Sequence, residues 1–185
     1  MIETKTSREV IVEADRSQVG SLVNKENLPN HDLYGRSNLT RLQMLYWVGQ
    51  SLRRDAPIFN TIYTYTVKGA VERGRFEQAF AGMVLESDAL RMVIEEEAGV
   101  PQQRDVGGVP KGVEYVDLSG EGDVGGAYGE WLAERKGRVL ELGESAYDTA
   151  LVKLGGERYV WYLNVHHILV DASSFVEIYR RVAER

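Results

Sequence analysis

From Ser37 onward, apolar residues recur at helical and strand spacings that alternate along the chain. Leu39, Leu42, Leu45, Trp47, Val48 and Leu52 mark an amphipathic helix, capped by Ser37 or Asn38. It must stop near Asp55, because Pro57 disfavours helical geometry at Ala56. Residues 60–67 are β-branched and aromatic and predict a strand. Phe76, Ala79, Phe80, Met83 and Val84 follow the i, i+3, i+4, i+7, i+8 template of a second helix. Residues 90–95 predict a strand, Ala98-Gly99 a turn, and residues 101–105 a short return strand. A glycine-rich connection at Gly107-Gly108 leads to a strand over 113–118 and a helix over 127–142. Residues 147–154 and 158–165 are strands joined by Gly155-Gly156, a hairpin signature. A final helix covers 172–184, with Phe175, Val176, Tyr179 and Val182 on one side. Helices alternate with strands but hairpins intervene. The expectation is therefore one α/β unit (α+β, two-layer), a mixed sheet with helices packed on it.

Composition narrows this further. The 185 residues suit one domain that buries roughly 70% of its unfolded surface. Apolar residues at 43% and charged residues at 27% fit a globular chain and exclude a fibre or a membrane protein. The net charge of −6, with no basic run, argues against sequence-independent nucleic-acid binding. The absence of cysteine excludes disulfides, Cys-ligated zinc, iron–sulfur clusters and thiol nucleophiles. No apolar run reaches about 18 residues and no signal-peptide pattern is present, so the expected compartment is cytoplasmic. Residues 1–36 are polar and mixed in charge, with one apolar stretch, Val10-Ile11-Val12. They read as a flexible leader or a small docking segment.

Two motifs bear on chemistry. Gly120-Glu-Gly122-Asp-Val-Gly125 matches G-x-G-x-x-G between a strand and a helix. Glu121 and Asp123, however, put carboxylates where a pyrophosphate would sit, and no Lys or Arg lies between Lys111 and Arg135. The segment reads as a surface loop. The second motif is His166-His167-Ile-Leu-Val-Asp171, at the C-terminal end of an apolar strand and before a helix, the end at which open α/β sheets bind ligands. Adjacent strand residues point to opposite faces, so one histidine faces a site while the other packs. A histidine there can hydrogen-bond an amine or hydroxyl nucleophile and accept its proton. The alternative is two histidines closing a strand before an ordinary helix-start aspartate. Metal binding is disfavoured, because the short turn offers no fourth donor.

Residues 165–173 resemble the H-H-x-x-x-D-G signature of condensation domains of nonribosomal peptide synthetases, relatives of chloramphenicol acetyltransferase and the H-x-x-x-D acyltransferases. Residues 37–47, with Gln43 and Trp47, resemble the family's opening helical motif, and residues 86–94 resemble the motif ending in Leu90-Arg91. Residues 116–119 also fit, so the resemblance covers about residues 37–183. It implies a chloramphenicol-acetyltransferase-like lobe in which His167 is the active-site residue. His167 would position or deprotonate an acceptor amine that attacks a carrier-bound acyl thioester, forming an amide. His166 would pack, and Asp171 would be structural, paired with Arg91. The substrates would ride on phosphopantetheine arms of peptidyl or acyl carrier proteins, with no cofactor bound directly and no metal.

The motif's glycine is Ala172 here, followed by Ser173, both at the turn bordering the implied tunnel. A methyl group at position 172 would narrow the tunnel or alter the turn. Residues 37–185 match only the N-terminal lobe of the family, with no counterpart to the C-terminal lobe and its adjoining synthetase domains. The expectation is a chain that folds and, alone, catalyses nothing. Ester-forming acyltransferases, epimerisation domains and a degenerate carrier-recruiting lobe share the same histidine motif and remain open.

Overall fold

The computed structural model describes residues 35–185, so the leader read over residues 1–36 lies, for residues 1–34, outside the described residues. The chain runs α1 (Arg41–Leu52), β1 (Asn60–Lys68), α2 (Arg73–Leu85), the single turn α3 (Asp88–Arg91), β2 (Met92–Glu97), β3 (Val100–Asp105) and β4 (Glu114–Asp117). It continues through α4 (Val124–Lys136), β5 (Tyr147–Gly155), β6 (Arg158–His166) and α5 (Ala172–Ala183). Four strands form one sheet in the order β1-β6-β5-β4, and β2-β3 is a separate hairpin. Only β4 runs parallel to its neighbour, so the sheet is mixed, as the pattern implied.

Strand β6 is central, and all its residues after Arg158 are buried. Its odd positions Trp161, Leu163 and Val165 pack with Phe80, Met83 and Val84 of α2 and with Phe175, Ile178 and Val182 of α5. Its even positions Val160 and Tyr162 pack with Ala150 and Val152, against Tyr128, Trp131 and Leu132 of α4. A strand apolar on both faces needs cover on both faces. Helices α2 and α5 therefore cover one set of its side chains and α4 the other, in the mixed α+β arrangement of sheet and packed helices that was expected.

Several boundaries differ from the sequence pattern for local reasons. Helix α1 is capped by Thr40, whose hydroxyl accepts from the Gln43 N–H while the Gln43 side chain accepts from the Thr40 N–H. Ser37 and Asn38 instead tie the preceding segment to β3: the Ser37 hydroxyl donates to the Pro101 carbonyl, and Asn38 bonds the Gln103 backbone in both directions. Leu90 belongs to the turn α3, which buries it, so the strand starts at Met92. Helix α4 starts at Val124 and ends before Gly137, leaving Leu140 to anchor a loop. Gly155 (φ 124°) and Gly156 (φ 53°) both use the left-handed region, which is why glycine joins β5 to β6. Among the described residues no helix is long and apolar enough to cross a membrane.

Candidate functional site

The site grows from the end of β6. The His166 N–H donates to the Ala146 carbonyl on one side, and the His167 N–H donates to the Phe59 carbonyl, 2.8 Å, on the other. The backbone is thus held between the residues that precede β5 and β1, and alternation does the rest. His166 is 1% exposed and His167 is exposed, as expected for one packing histidine and one facing outward. Residues 167–169 turn, Ile168 and Val170 plug into the core, and Asp171 opens α5.

The His166 Nδ1 accepts from the Ile168 N–H at 3.1 Å, so the neutral ring carries its proton on Nε2. That Nε2 finds no partner among the described residues. Burial, and then the neighbouring His167, push the His166 imidazole down to about 4. His166 is therefore a neutral structural element that shapes the turn. The His167 ring lies almost parallel to Tyr46 of α1, with centroids 5.2 Å apart and planes 13° apart. Tyr46 meets Phe59 edge-on at 5.0 Å, and Phe59 in turn meets His166 edge-on at 5.8 Å. Neither Tyr46 nor Phe59 is among the candidate residues that the sequence singles out, although Tyr46 falls inside the helical motif of residues 37–47. The available signal was an aromatic residue beside Gln43 and Trp47.

Asp171 and Arg91 do not pair, which corrects the expectation of a buried Asp171–Arg91 bridge. Asp171 is exposed and caps α5: its Oδ1 accepts from the Ser173 hydroxyl (2.7 Å), the Ser174 hydroxyl (2.8 Å) and the Ser174 N–H (3.0 Å). The Ser173 hydroxyl and then Ser174 hold its carboxyl near 2. Arg91 finds carboxylates closer in its own neighbourhood: Asp105 and Asp88, each 2.7 Å from Nη2, with Nη1 donating to the Leu85 carbonyl. It staples α3 to the end of β3. Ala172 starts α5 and is exposed, and Ala98 is the one non-glycine residue with positive φ among the described residues. The turn therefore makes no demand for glycine at position 172.

A groove of about 340 Å³ runs between α2, α3 and α5. Its walls include Ser87, Leu90, Ser173, Ser174, Glu177 and Arg181, whereas His167 and Tyr46 lie outside it. The Gly120–Gly125 segment leads into α4, where the Asp123 carboxylate accepts from the Gly126 N–H. The chain's own carboxylate thus occupies the helix end that a phosphate would need. Among the described residues no three His, Asp or Glu side chains gather to hold a metal.

Comparison with known proteins follows the same outline. The condensation-domain family model matches residues 35–184. An isonitrile lipopeptide synthase from Streptomyces coeruleorubidus is 31% identical over 155 residues, which are 83% of this chain and 10% of the synthase. A dimodular nonribosomal peptide synthase from Bacillus subtilis (strain 168) is 29% identical over 147 residues, which are 79% of this chain and 6% of that protein. The starter condensation domain of rhizomide synthetase superposes with a TM-score of 0.72 at 27% identity, covering 78% of this chain and 37% of that one. The first condensation domain of the calcium-dependent antibiotic synthetase, solved with a substrate analogue, gives 0.71 at 28% identity, covering 80% and 36%. The chain therefore spans a tenth or less of these synthases and just over a third of these solved condensation domains.

Proposed function

The chain belongs to the condensation-domain family, and from that premise we propose that it supplies the histidine-bearing half of an amide-forming site. The acceptor amine attacks the carbonyl carbon of an acyl or aminoacyl thioester held on a carrier protein's phosphopantetheine arm. The N–C bond forms, the C–S bond breaks, and the amine proton ends on the departing sulfur. His167 orients the amine and accepts its proton before passing it on. The single observation that carries this reading is the exposed His167 ring beside a buried neutral His166 at the end of β6. Asp171 supports the site through the start of α5, and Ser173 lines the groove next to it.

Residues 37–185 act in this reading as one lobe. Leu42, Leu45 and Leu52 of α1 are 58–61% exposed, on the helix that also carries Tyr46. A second lobe covering that stripe would close the site over His167, and carrier proteins would deliver both arms. The chain alone is then inert. The experiment is His167→Ala in the full-length protein, assayed for dipeptidyl or acyl-aminoacyl product. Turnover falls by about 10²-fold or more if the imidazole handles the amine proton. Undiminished turnover would overturn the assignment. Product formed on an alcohol but not on an amine would redirect it to ester formation.

A further inference from the structure

We propose that Tyr46 is a positioning residue for His167, fixing the plane of the imidazole by stacking; this rests on the reading of His167 as the active-site histidine. The His167 backbone is anchored through the Phe59 carbonyl, yet among the described residues no hydrogen bond holds its ring. The carboxylate close to it in sequence, Asp171, is engaged by Ser173 and Ser174. The orienting group common beside such a histidine is therefore committed elsewhere. What remains is the Tyr46 ring, 13° from coplanar and 5.2 Å away, covering one imidazole face.

Tyr46 is itself held from several directions. Its helix is locked by the Thr40–Gln43 capping box, and its ring packs edge-on to Phe59. It also packs, with Trp47, against the Leu39, Ile94 and Ile168 cluster, which contains the residue following His167. Ring and histidine backbone are thus referred to the same rigid elements. A rotation of the imidazole about its Cβ–Cγ bond, which would move the reacting nitrogen by an ångström or more, breaks the stack. A restraint of this kind acts on the reacting geometry and leaves substrate binding alone. Its signature is a change in kcat without a change in KM.

The test compares Tyr46→Phe and Tyr46→Leu in the full-length protein, with His167→Ala alongside. Stacking predicts that Tyr46→Phe keeps turnover within about twofold, whereas Tyr46→Leu lowers kcat about 5- to 10-fold with KM within about twofold. In histidine-labelled protein, the ring-current displacement of the His167 signals persists in the Phe variant and vanishes in the Leu variant. Should Tyr46→Leu fail to fold, Tyr46→Met is read by the same criteria. Turnover of the Leu variant within twofold of the parent, a rise in KM at constant kcat, or a Phe variant as impaired as the Leu variant would each overturn the proposal. If His167→Ala retains full turnover, it is the functional reading that fails. If His167→Ala is inactive and Tyr46→Leu is not impaired, the positioning role alone fails.

Discussion

Arg135 on α4 and Asp148 on β5 form an ion pair, Nε to Oδ2 3.2 Å apart, with each side chain 3% exposed. The contact has the length of an ion pair without hydrogen-bond alignment at Nε. Lys111 reaches Asp148 at 3.0 Å, Glu114 pairs with Arg135, and the Trp131 ring lies 5.3 Å from the guanidinium. Asp148→Ala leaves the buried Arg135 with the half-exposed Glu114 as partner, so it should destabilise the fold by about 2–3 kcal/mol, less than a fully stranded charge would cost. An Arg135→Met/Asp148→Leu double substitution should lose far less, because neither charge is then stranded. Denaturant unfolding of the three proteins checks this; a loss below about 1 kcal/mol for Asp148→Ala would show that the pair is not desolvated in solution.

That pair also marks the limit of what the sequence makes legible. Strands β5 and β6, the hairpin glycines and the His166/His167 division follow from alternation and are found where the periodicity puts them. Partner choice does not follow. Arg91 has carboxylates three and fourteen residues away, and those outcompete Asp171, which local serines already satisfy. Ser37, Asn38 and Thr40 are all competent caps, and contacts 64 and 65 residues distant decide which is used. A buried Arg135 is invisible to pattern reading, since charge normally predicts exposure. Tyr46 lies inside the helical motif of residues 37–47, but its partner is 121 positions further along the chain.

The correction at Asp171 is testable. Asp171→Ala removes the acceptor for the Ser174 N–H and for two hydroxyls, so the first turn of α5 frays and the thermal midpoint falls by a few degrees. Arg91→Ala loosens α3 from β3 instead. The two effects should add in the double variant, because the side chains share no partner. A double variant no worse than either single one would restore the Asp171–Arg91 bridge.

Gly49 is a packing requirement of the same site. A Cβ at position 49 would lie 2.7 and 2.8 Å from the Phe59 ring, which bridges Tyr46 and His166. Helix propensity favours alanine there by about 1 kcal/mol, but displacing a packed ring costs about 1–3 kcal/mol. Gly49→Ala should therefore be destabilising by up to about 2 kcal/mol and should shift the His167 signals as Phe59 and Tyr46 move. A Gly49→Ala protein more stable than its parent, with unchanged His167 signals, would mean that the ring accommodates the methyl group freely.

His166 gives the fold an acid-sensitive term with a definite window. Its folded value is depressed to about 4 from 6.5, first by burial and then by the adjacent His167. Between those values the unfolded chain binds a proton that the folded chain refuses, so stability falls as pH falls. The contribution is complete above pH 6.5 and is lost on approaching pH 4, amounting to about 3 kcal/mol across that range. Depressed carboxylates such as Asp171 and Asp117, both near 2, act in a separate window: their contribution is present above the ordinary carboxylate range and disappears towards pH 2. In His166→Asn the side-chain oxygen can replace Nδ1 as acceptor for the Ile168 N–H, and nothing titrates at that position. The variant should start less stable at pH 7, having lost the ring's packing against Phe59, yet show a shallower decline between pH 6.5 and 4. Urea midpoints for both proteins at half-unit pH intervals measure the two slopes. Equal slopes would mean that His166 takes up its proton in the folded state as readily as in the unfolded one, and the buried neutral histidine would have to be abandoned.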